Sequence, residues 1–499
     1  MRPARRRGRP ARWVSCGLLG KGLPCIRTRI VHGQHPSRSC PNARLFGVTV
    51  QSDDSALCWY CTFEHTDRAV CHTNGRYCQH VSILLPTGNV RCRGVAVRKL
   101  VVGSTVLVVL AAGCAEGEQP VKTGPGVTDS TISLGVLTDL TGPFSATSQS
   151  RIKGYELFFG DLNDRGGVCG RKVELEQRDH GYDVDRALDG YFELEPRVLG
   201  FLDITGAPMT EAIEPDLVQT RALAAPASWS ATLLGNPHMV VVGTTYDLDV
   251  INGLDHLRRT GAIHDGDTIG HIHLDSDFGR NALEGSVFAA QQWGMTLVPK
   301  AVQAGADVSA QVAELRTAGA KAVVLSTSPQ QTATAVVAAA GWDAPFLVNA
   351  ASYDPLVLRS EVAQAVVDRV LVVSPIAPFA TDAEGPREVA EAFRRKFPDV
   401  EPTGSVDHGY AVGIAFAAIM EKACAERDLT RDGMLRAFQD TSDVDTGGLT
   451  GHLRFSLVGR PSSTRSYVSR PDPGTAGGLA VVEGLFESEL VKLKGTRAR

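Results

Sequence analysis

Apolar and polar positions alternate with two periods along most of this chain. Thr131-Ile132-Ser133-Leu134-Gly135-Val136-Leu137 follows a period of two and predicts a strand, which Thr141-Gly142-Pro143 turns. From about Ser145 to Leu162 the spacing becomes helical, with Ile152, Tyr155, Leu157, Phe158 and Phe159 at its apolar positions; Gly166-Gly167 stops it. Strands are predicted at Lys172–Glu176, Val198–Thr205, Ala222–Ala225 and His238–Gly243. The pattern restarts with a strand at Thr268–Leu274, a helix to about Trp293 and a strand at Met295–Val302. Asp307 is placed to cap the next helix, whose apolar face is Val308, Val312 and Leu315. A buried strand at Ala322–Leu325, a helix at Gln330–Ala340, and strands at Phe346–Val348 and Arg369–Val373 follow. Long helices are predicted at about Arg387–Phe397 and Gly404–Glu426, with strands near Leu453 and Leu479. Such alternation predicts parallel sheets covered by helices on both faces. About 370 residues beyond Thr128 suit two lobes better than one core.

Composition changes sharply before this body. Residues 1–96 hold eight of the eleven cysteines and show no sustained period. Met1 to Trp13 is arginine-rich and acid-free. This stretch reads as a non-native or disordered extension of an over-extended start, with translation beginning near Val95 or Val97. A zinc module from Cys58, Cys61, His65, Cys71, His72, Cys78 and His80 is the functional alternative, but only one C-x2-C pair is present. A nucleic-acid-binding arm is a further alternative. Leu100 to Gly113 is an uncharged apolar run after Arg98-Lys99, closed by small residues and Cys114, the order of an export signal. At 14 residues it is shorter than the roughly 20 that a membrane span needs, which leaves a buried core strand as the other reading. The Leu110-Ala111-Ala112-Gly113-Cys114 end resembles a bacterial lipobox, whose cysteine is acylated and becomes the first mature residue. The expected order is therefore an extension at 1–96, a lipoprotein signal peptide at 97–113 and a linker at 114–129. Residues 114–499 carry 34 basic against 51 acidic side chains, a balance hidden by the basic leader. So acidic a body argues against nucleic acid as a partner.

From Ile132 to Thr450, dispersed motifs point one way. They include Ile132-x-Leu134-Gly135-Val136-Leu137-x3-Thr141-Gly142-Pro143-Phe144, Gly154-Tyr155-Glu156-Leu157 and Asn163-Asp164-x-Gly166-Gly167-Val168-x-Gly170-Arg171-Lys172-Val173. Asp275-Ser276-Asp277-Phe278-Gly279-Arg280 and Gly447-Gly448-Leu449-Thr450-Gly451 continue the series. In order and spacing the body resembles a type I periplasmic binding protein of the branched-chain amino-acid (Leu/Ile/Val) receptor family. The resemblance implies two Rossmann-like lobes joined by three crossovers, near Gly243–Asp247, Ser374–Phe379 and Ser456–Arg460, with a ligand cleft between them. Lobe 1 would comprise 130–246 plus 374–456, and lobe 2 would comprise 247–373 plus 457–499. Open α/β sheets bind ligands at the carboxyl ends of their strands, which agrees.

Carried over position by position, the resemblance implies contacts from Phe144, Ser145 and Thr147 after the first strand. Thr147 falls where the family often has an aromatic. Gly206, Ala207 and Thr210 stand in the family's serine-rich carboxylate loop, Ala227, Ser228 and Trp229 in its second carboxylate loop. Phe278, Ser328 and Tyr353 complete the set. Ala351 occupies the position of the acid that pairs with an amino-acid ammonium, so the implied solute is an amino acid or a related amide or carboxylate, with Asp354 the substitute acid. The family's crossover order puts Cys169 and Cys424 in one lobe, either as a disulfide or as two free thiols.

His271-x-His273-x-Asp275 places two imidazoles on one face of a strand, but no further ligand set follows. No nucleophile elbow, P-loop or zincin motif is present. The expectation is a non-enzymatic, cofactor-free, lipid-anchored receptor outside the cytoplasmic membrane, delivering a small solute to an ABC permease and its ATPase. A ligand sensor of the same fold, or a hydrolase using the His271/His273 pair, are the alternatives.

Overall fold

The computed structural model describes the backbone of residues 27–31, 45–52, 55–63, 69–73, 76–77 and 120–497, with side chains for 120–494. The signal segment, Cys114 and the side chains of the zinc candidates lie outside the described residues. Five strands, β1 (Arg27–Val31), β2 (Leu45–Ser52), β3 (Ser55–Phe63), β4 (Ala69–Thr73) and β5 (Arg76–Tyr77), form an antiparallel sheet in chain order. Sequence periodicity does not show them, because ladder bonds join backbone groups and need no alternation of side chains. They belong to a separate compact unit, Met1–Ala112; the rest of the fold concerns Gly113–Arg499.

A short parallel ladder joins β6 (Lys122–Thr123) to β16 (Asp428–Leu429). The first lobe is built on β7 (Thr131–Thr138), β8 (Lys172–Asp179), β9 (Gly200–Ile204) and β10 (Ala224–Pro226), all parallel, in the order β10-β9-β7-β8. Ile132, Leu134 and Val136 of β7 enter one core, against α1 (Ser145–Asp164), α9 (Glu384–Lys396), α10 (Gly404–Ala425) and α11 (Arg431–Gln439). Leu137 and Phe201 enter the core on the other face, under α2 (Val184–Leu194) and α3 (Ala207–Thr220). Two glycines let α1 and α10 touch. A Cβ on Gly154 would lie 2.1 Å from Val406 O, and one on Gly409 would lie 2.1 Å from Arg151 O. A disulfide joins Cys169, beyond α1, to Cys424, at the end of α10, with Cα atoms 5.9 Å apart.

The second lobe holds β11 (Thr268–Leu274), β12 (Thr296–Val302), β13 (Ala322–Ser326), β14 (Phe346–Asn349), β15 (Val370–Ser374), β17 (Ser466–Pro471) and β18 (Leu479–Phe486). Their order is β12-β11-β13-β14-β15-β17-β18, and β17 and β18 run antiparallel. The two Rossmann-like lobes are therefore present, with the parallel pattern broken at one edge. Helices α4 (Tyr246–Arg259), α5 (Asp277–Trp293) and α12 (Glu489–Arg497) cover one face. Helices α6 (Ser309–Thr317), α7 (Pro329–Ala338) and α8 (Ala363–Arg369) cover the other. Among the described residues, no helix is long and apolar enough to cross a membrane.

Several local expectations are corrected. His238–Gly243 is not a strand; Met239 makes only an isolated bridge to Ala224 as the chain leaves the lobe. Leu453 likewise makes a lone bridge, to Val444. Asp307 does not cap α6, whose N-cap is Val308; its carboxylate accepts instead from Ser309 N–H and Oγ–H. Helix α4 escaped the periodicity because it is buried nearly all round, Asp247, Asp249 and Asn252 included. Those polar groups are met from the chain's far end. Lys494 pairs with Asp247, Ser466 donates to Asp249, and Asn252 donates to Ser466 and Thr464.

Candidate functional site

The loops at the carboxyl ends of β7, β9 and β10 face those of β11, β13 and β14 across a cavity of about 610 Å³. That size is typical of a small-molecule site. Each wall can be traced to its local chemistry.

The turn after β7 is held by two carboxylates. Asp139 accepts from Gly142 N–H at 2.5 Å and Phe144 N–H at 2.8 Å. Asp179 accepts from Leu140 N–H, Thr141 Oγ–H and Gly181 N–H. Burial opposes its charge, but these bonds and Arg186 bring Asp179 down to about 2. The result presents Phe144, ring-to-ring 4.9 Å from Tyr182, at the start of α1.

The loop after β9 starts α3 at Gly206, with φ of 99° and no side-chain cap. A Cβ there would strike Met209 at 2.1 Å and the Tyr182 ring at 2.8 Å, so only glycine fits. Gly206, Ala207 and Pro208 at the start of α3 line the cavity, where a helix end favours an anion. After β10, Trp229 donates Nε1–H to Val242 O at 2.7 Å, which fixes its ring between Tyr246 and His408. Tyr246, at the start of α4, then contacts Phe278 of α5 at 4.5 Å. Burial raises the Tyr246 hydroxyl above its usual value, keeping it neutral. Ser228 Oγ is buried without a hydrogen bond of good geometry, beside that hydroxyl.

Of the residues singled out from sequence, Phe144, Thr147, Gly206, Ala207, Ala227, Ser228, Trp229, Phe278 and Tyr353 all line this cavity. The remaining three do not. Ser145 only starts α1, with its N–H on Gly142 O. Thr210 is buried one turn into α3 and donates back to Gly206 O. Ser328 caps α7 through a box with Gln331, and it is its neighbour Thr327 that reaches the cavity. Ala351 does line the wall, whereas Asp354 there accepts from Leu356 N–H.

Arg151 and His408 also line the cavity and were missed from sequence. Arg151, its side chain 4% exposed, pairs with Asp203 at 2.8 Å and donates to Ser148, Thr138 and Thr205. Its signal was a charge within the Ser148, Ile152, Tyr155 stripe that α1 buries. His408 is 6% exposed and stacks on Trp229 at 4.6 Å. Burial, then the Arg151 charge, hold its ring well below the usual histidine range, so it is neutral. With Asp407 it interrupts an otherwise uncharged run that lasts to Glu421.

The His271/His273 pair has ordinary partners. His271 Nδ1 and Nε2 meet Ser286 Oγ and Ser326 Oγ, and His273 Nδ1 meets Leu274 O. Among the described residues, no group of three His, Cys, Asp or Glu side chains is placed to hold a metal.

Polar contacts bridge the lobes around the cavity. Thr232 Oγ1 donates to Asp277 at 3.0 Å, Ala231 N–H to Asn281 at 3.1 Å, and Arg359 pairs with Glu401 at 3.3 Å.

This two-lobed cleft is the geometry of a known family. A model described as periplasmic binding protein matches residues 131–475. A fatty acid ABC transporter substrate-binding protein from Thermomonospora curvata is 36% identical, with a TM-score of 0.72 over 74% of this chain and 96% of that one. A branched chain amino acid ABC transporter structure from Thermus thermophilus, with bound valine, is 18% identical, with a TM-score of 0.64 over 74% of this chain and 100% of that one. A leucine binding protein from Thermotoga maritima is 15% identical, with a TM-score of 0.61 over 72% and 99%. No curated protein matches the chain. By the extent of the family match and the identity of its relative, this chain belongs to the periplasmic binding protein family.

Proposed function

We propose that the protein captures an apolar monocarboxylate, of the fatty-acid type, outside the cytoplasmic membrane and hands it to an ABC permease and its ATPase. One observation carries this reading. The cavity sets an uncapped helix N-terminus in one lobe against a wall of Phe278, Ala351, Tyr353, Leu358 and Leu479 in the other. The cavity-lining acids have partners of their own: Arg280 for Asp275, Arg359 for Glu401, and a backbone N–H for Asp354. A ligand ammonium buried against Ala351 would lack its counter-charge, which is costly. The Thermomonospora curvata relative, named for fatty acid, supports the same class.

The test is a series of straight-chain carboxylates from four to fourteen carbons, read by tryptophan fluorescence. Each added CH2 contributes about 0.8 kcal/mol, so Kd tightens about fourfold per carbon until the cavity is full. Leucine or valine binding more tightly than every member, or a flat series, would sink the reading.

Capture of this kind fits a tether, and the apolar run ending at Cys114 supports one. In this reading 97–113 is removed as a signal, Cys114 carries the lipid, and 1–96 is no part of the mature protein. Mass spectrometry of the membrane fraction is expected to find a lipid-modified Cys114 at the mature N-terminus. A chain retaining residues before it would contradict the tether.

A further inference from the structure

The cavity is chemically polarised. At one end Arg151 spends Nε and Nη2 on Asp203, Thr138, Ser148 and Thr205, while Nη1 makes no hydrogen bond to a described residue. His408 lines the same end, more than nine-tenths buried, and neither ring nitrogen bonds to a described residue. Thr205, which Arg151 holds, immediately precedes the Gly206 start of α3. The close crossing of α1 and α10 at Gly154 and Gly409 brings these two side chains together. At the other end the groups are apolar or already satisfied: Tyr353 donates its hydroxyl to Gly478 O at 2.9 Å, beside Leu358 and Leu479.

We infer that His408, with Arg151 Nη1, reads the ligand's acid group and sets the preference for a carboxylate over a neutral head of the same size. The hydrocarbon chain then runs toward Tyr353, Leu358 and Leu479. A neutral imidazole has one N–H to donate, and a bond to an ionised acceptor is about twice as strong as one to a neutral acceptor. The Trp229 ring holds the imidazole plane, so little ordering is left to occur on binding. This inference rests on the carboxylate reading above.

The experiment measures Kd for octanoate and for octanamide in the wild type, His408→Phe and His408→Gln. Phenylalanine keeps a ring against Trp229 and removes both nitrogens. The octanoate-over-octanamide preference is expected to fall about tenfold in His408→Phe. His408→Gln, which restores an N–H donor, is expected to recover part of it. Equal weakening of both ligands would show a merely structural role and overturn the inference, as would an unchanged preference in His408→Phe. A wild type that binds no straight-chain carboxylate would instead remove the reading beneath it, and the inference with it.

Discussion

Arg151→Met is expected to cost about 3–5 kcal/mol of folding stability, because it leaves the Asp203 carboxylate buried without its cation. Asp203 has no exposed surface, and it receives Arg151 Nε at 2.8 Å, Tyr155 Oη–H at 3.2 Å and Thr205 Oγ1–H at 2.9 Å. Burial opposes the Arg151 charge, and Asp203, with its charge and hydrogen bond, more than restores it. Two hydroxyl bonds to an ion do not replace a guanidinium. The double variant Arg151→Met/Asp203→Asn removes the stranded charge; its amide offers an oxygen to one of the Tyr155 and Thr205 hydroxyls, which meet opposite carboxylate oxygens, and an N–H to the other. It is expected to recover most of the loss. Urea unfolding of wild type, both singles and the double gives the coupling directly. A single-variant loss below 1 kcal/mol, or a double no better than the single, would contradict this account.

Asp407→Asn is expected to stabilise the protein at pH 7 and to have little effect near pH 4. Asp407 is fully buried in α10, and neither carboxylate oxygen has a hydrogen-bond partner among the described residues. Burial therefore pushes its pKa well above the ordinary 3.8. The native side chain stays protonated where the unfolded chain has already ionised. Native protein thus binds the extra proton, and stability falls as pH rises above the unfolded value, by about 1.4 kcal/mol per unit until the native group ionises. At pH 7 the loss is at most about 4 kcal/mol. Asparagine has the same shape and no charge to suppress. The stability gap between variant and wild type, from urea titrations at pH 4, 5, 6 and 7, should widen steadily. A gap independent of pH would show that Asp407 does not titrate in this range.

How far the sequence carried the fold depended on whether an element faces water. Helix α1 has a solvent side, so Ile152, Tyr155, Leu157 and Phe159 showed as a stripe and its extent was legible. Strand β7 is covered on both faces, yet Ser133 and Gly135 between Ile132, Leu134 and Val136 kept its period of two legible. Helix α4 has almost no wet face, and its aspartates look like surface residues until Lys494 and Ser466 are in place beside them. The cleft shows the same division. Loop positions after β9 and β10 could be named because the family resemblance carried them over, in agreement with the rule that strand ends in parallel sheets face ligands. Ser328 was misplaced because a serine before Pro329 is as good a helix cap as a ligand contact. Arg151 and His408 went unseen because each lies inside a long helix, where a lone polar residue reads as a solvated one.

The helix α4 that the pattern concealed also sets a schedule. Its Asn252 accepts from Ser488 N–H 236 positions later, its Asp249 from Ser466 217 positions later, and its Asp247 from Lys494 247 positions later. A nascent chain that stops short of Ser466 leaves Asp249 and Asn252 of a helix destined for a core without these partners, and Asp247 with the Thr245 hydroxyl alone. Their burial would cost more than the incomplete sheet returns. Contacts this distant in sequence form late. The second lobe is therefore finished only when its last strands and helix have been made, and until then the polypeptide is still loose enough to be threaded.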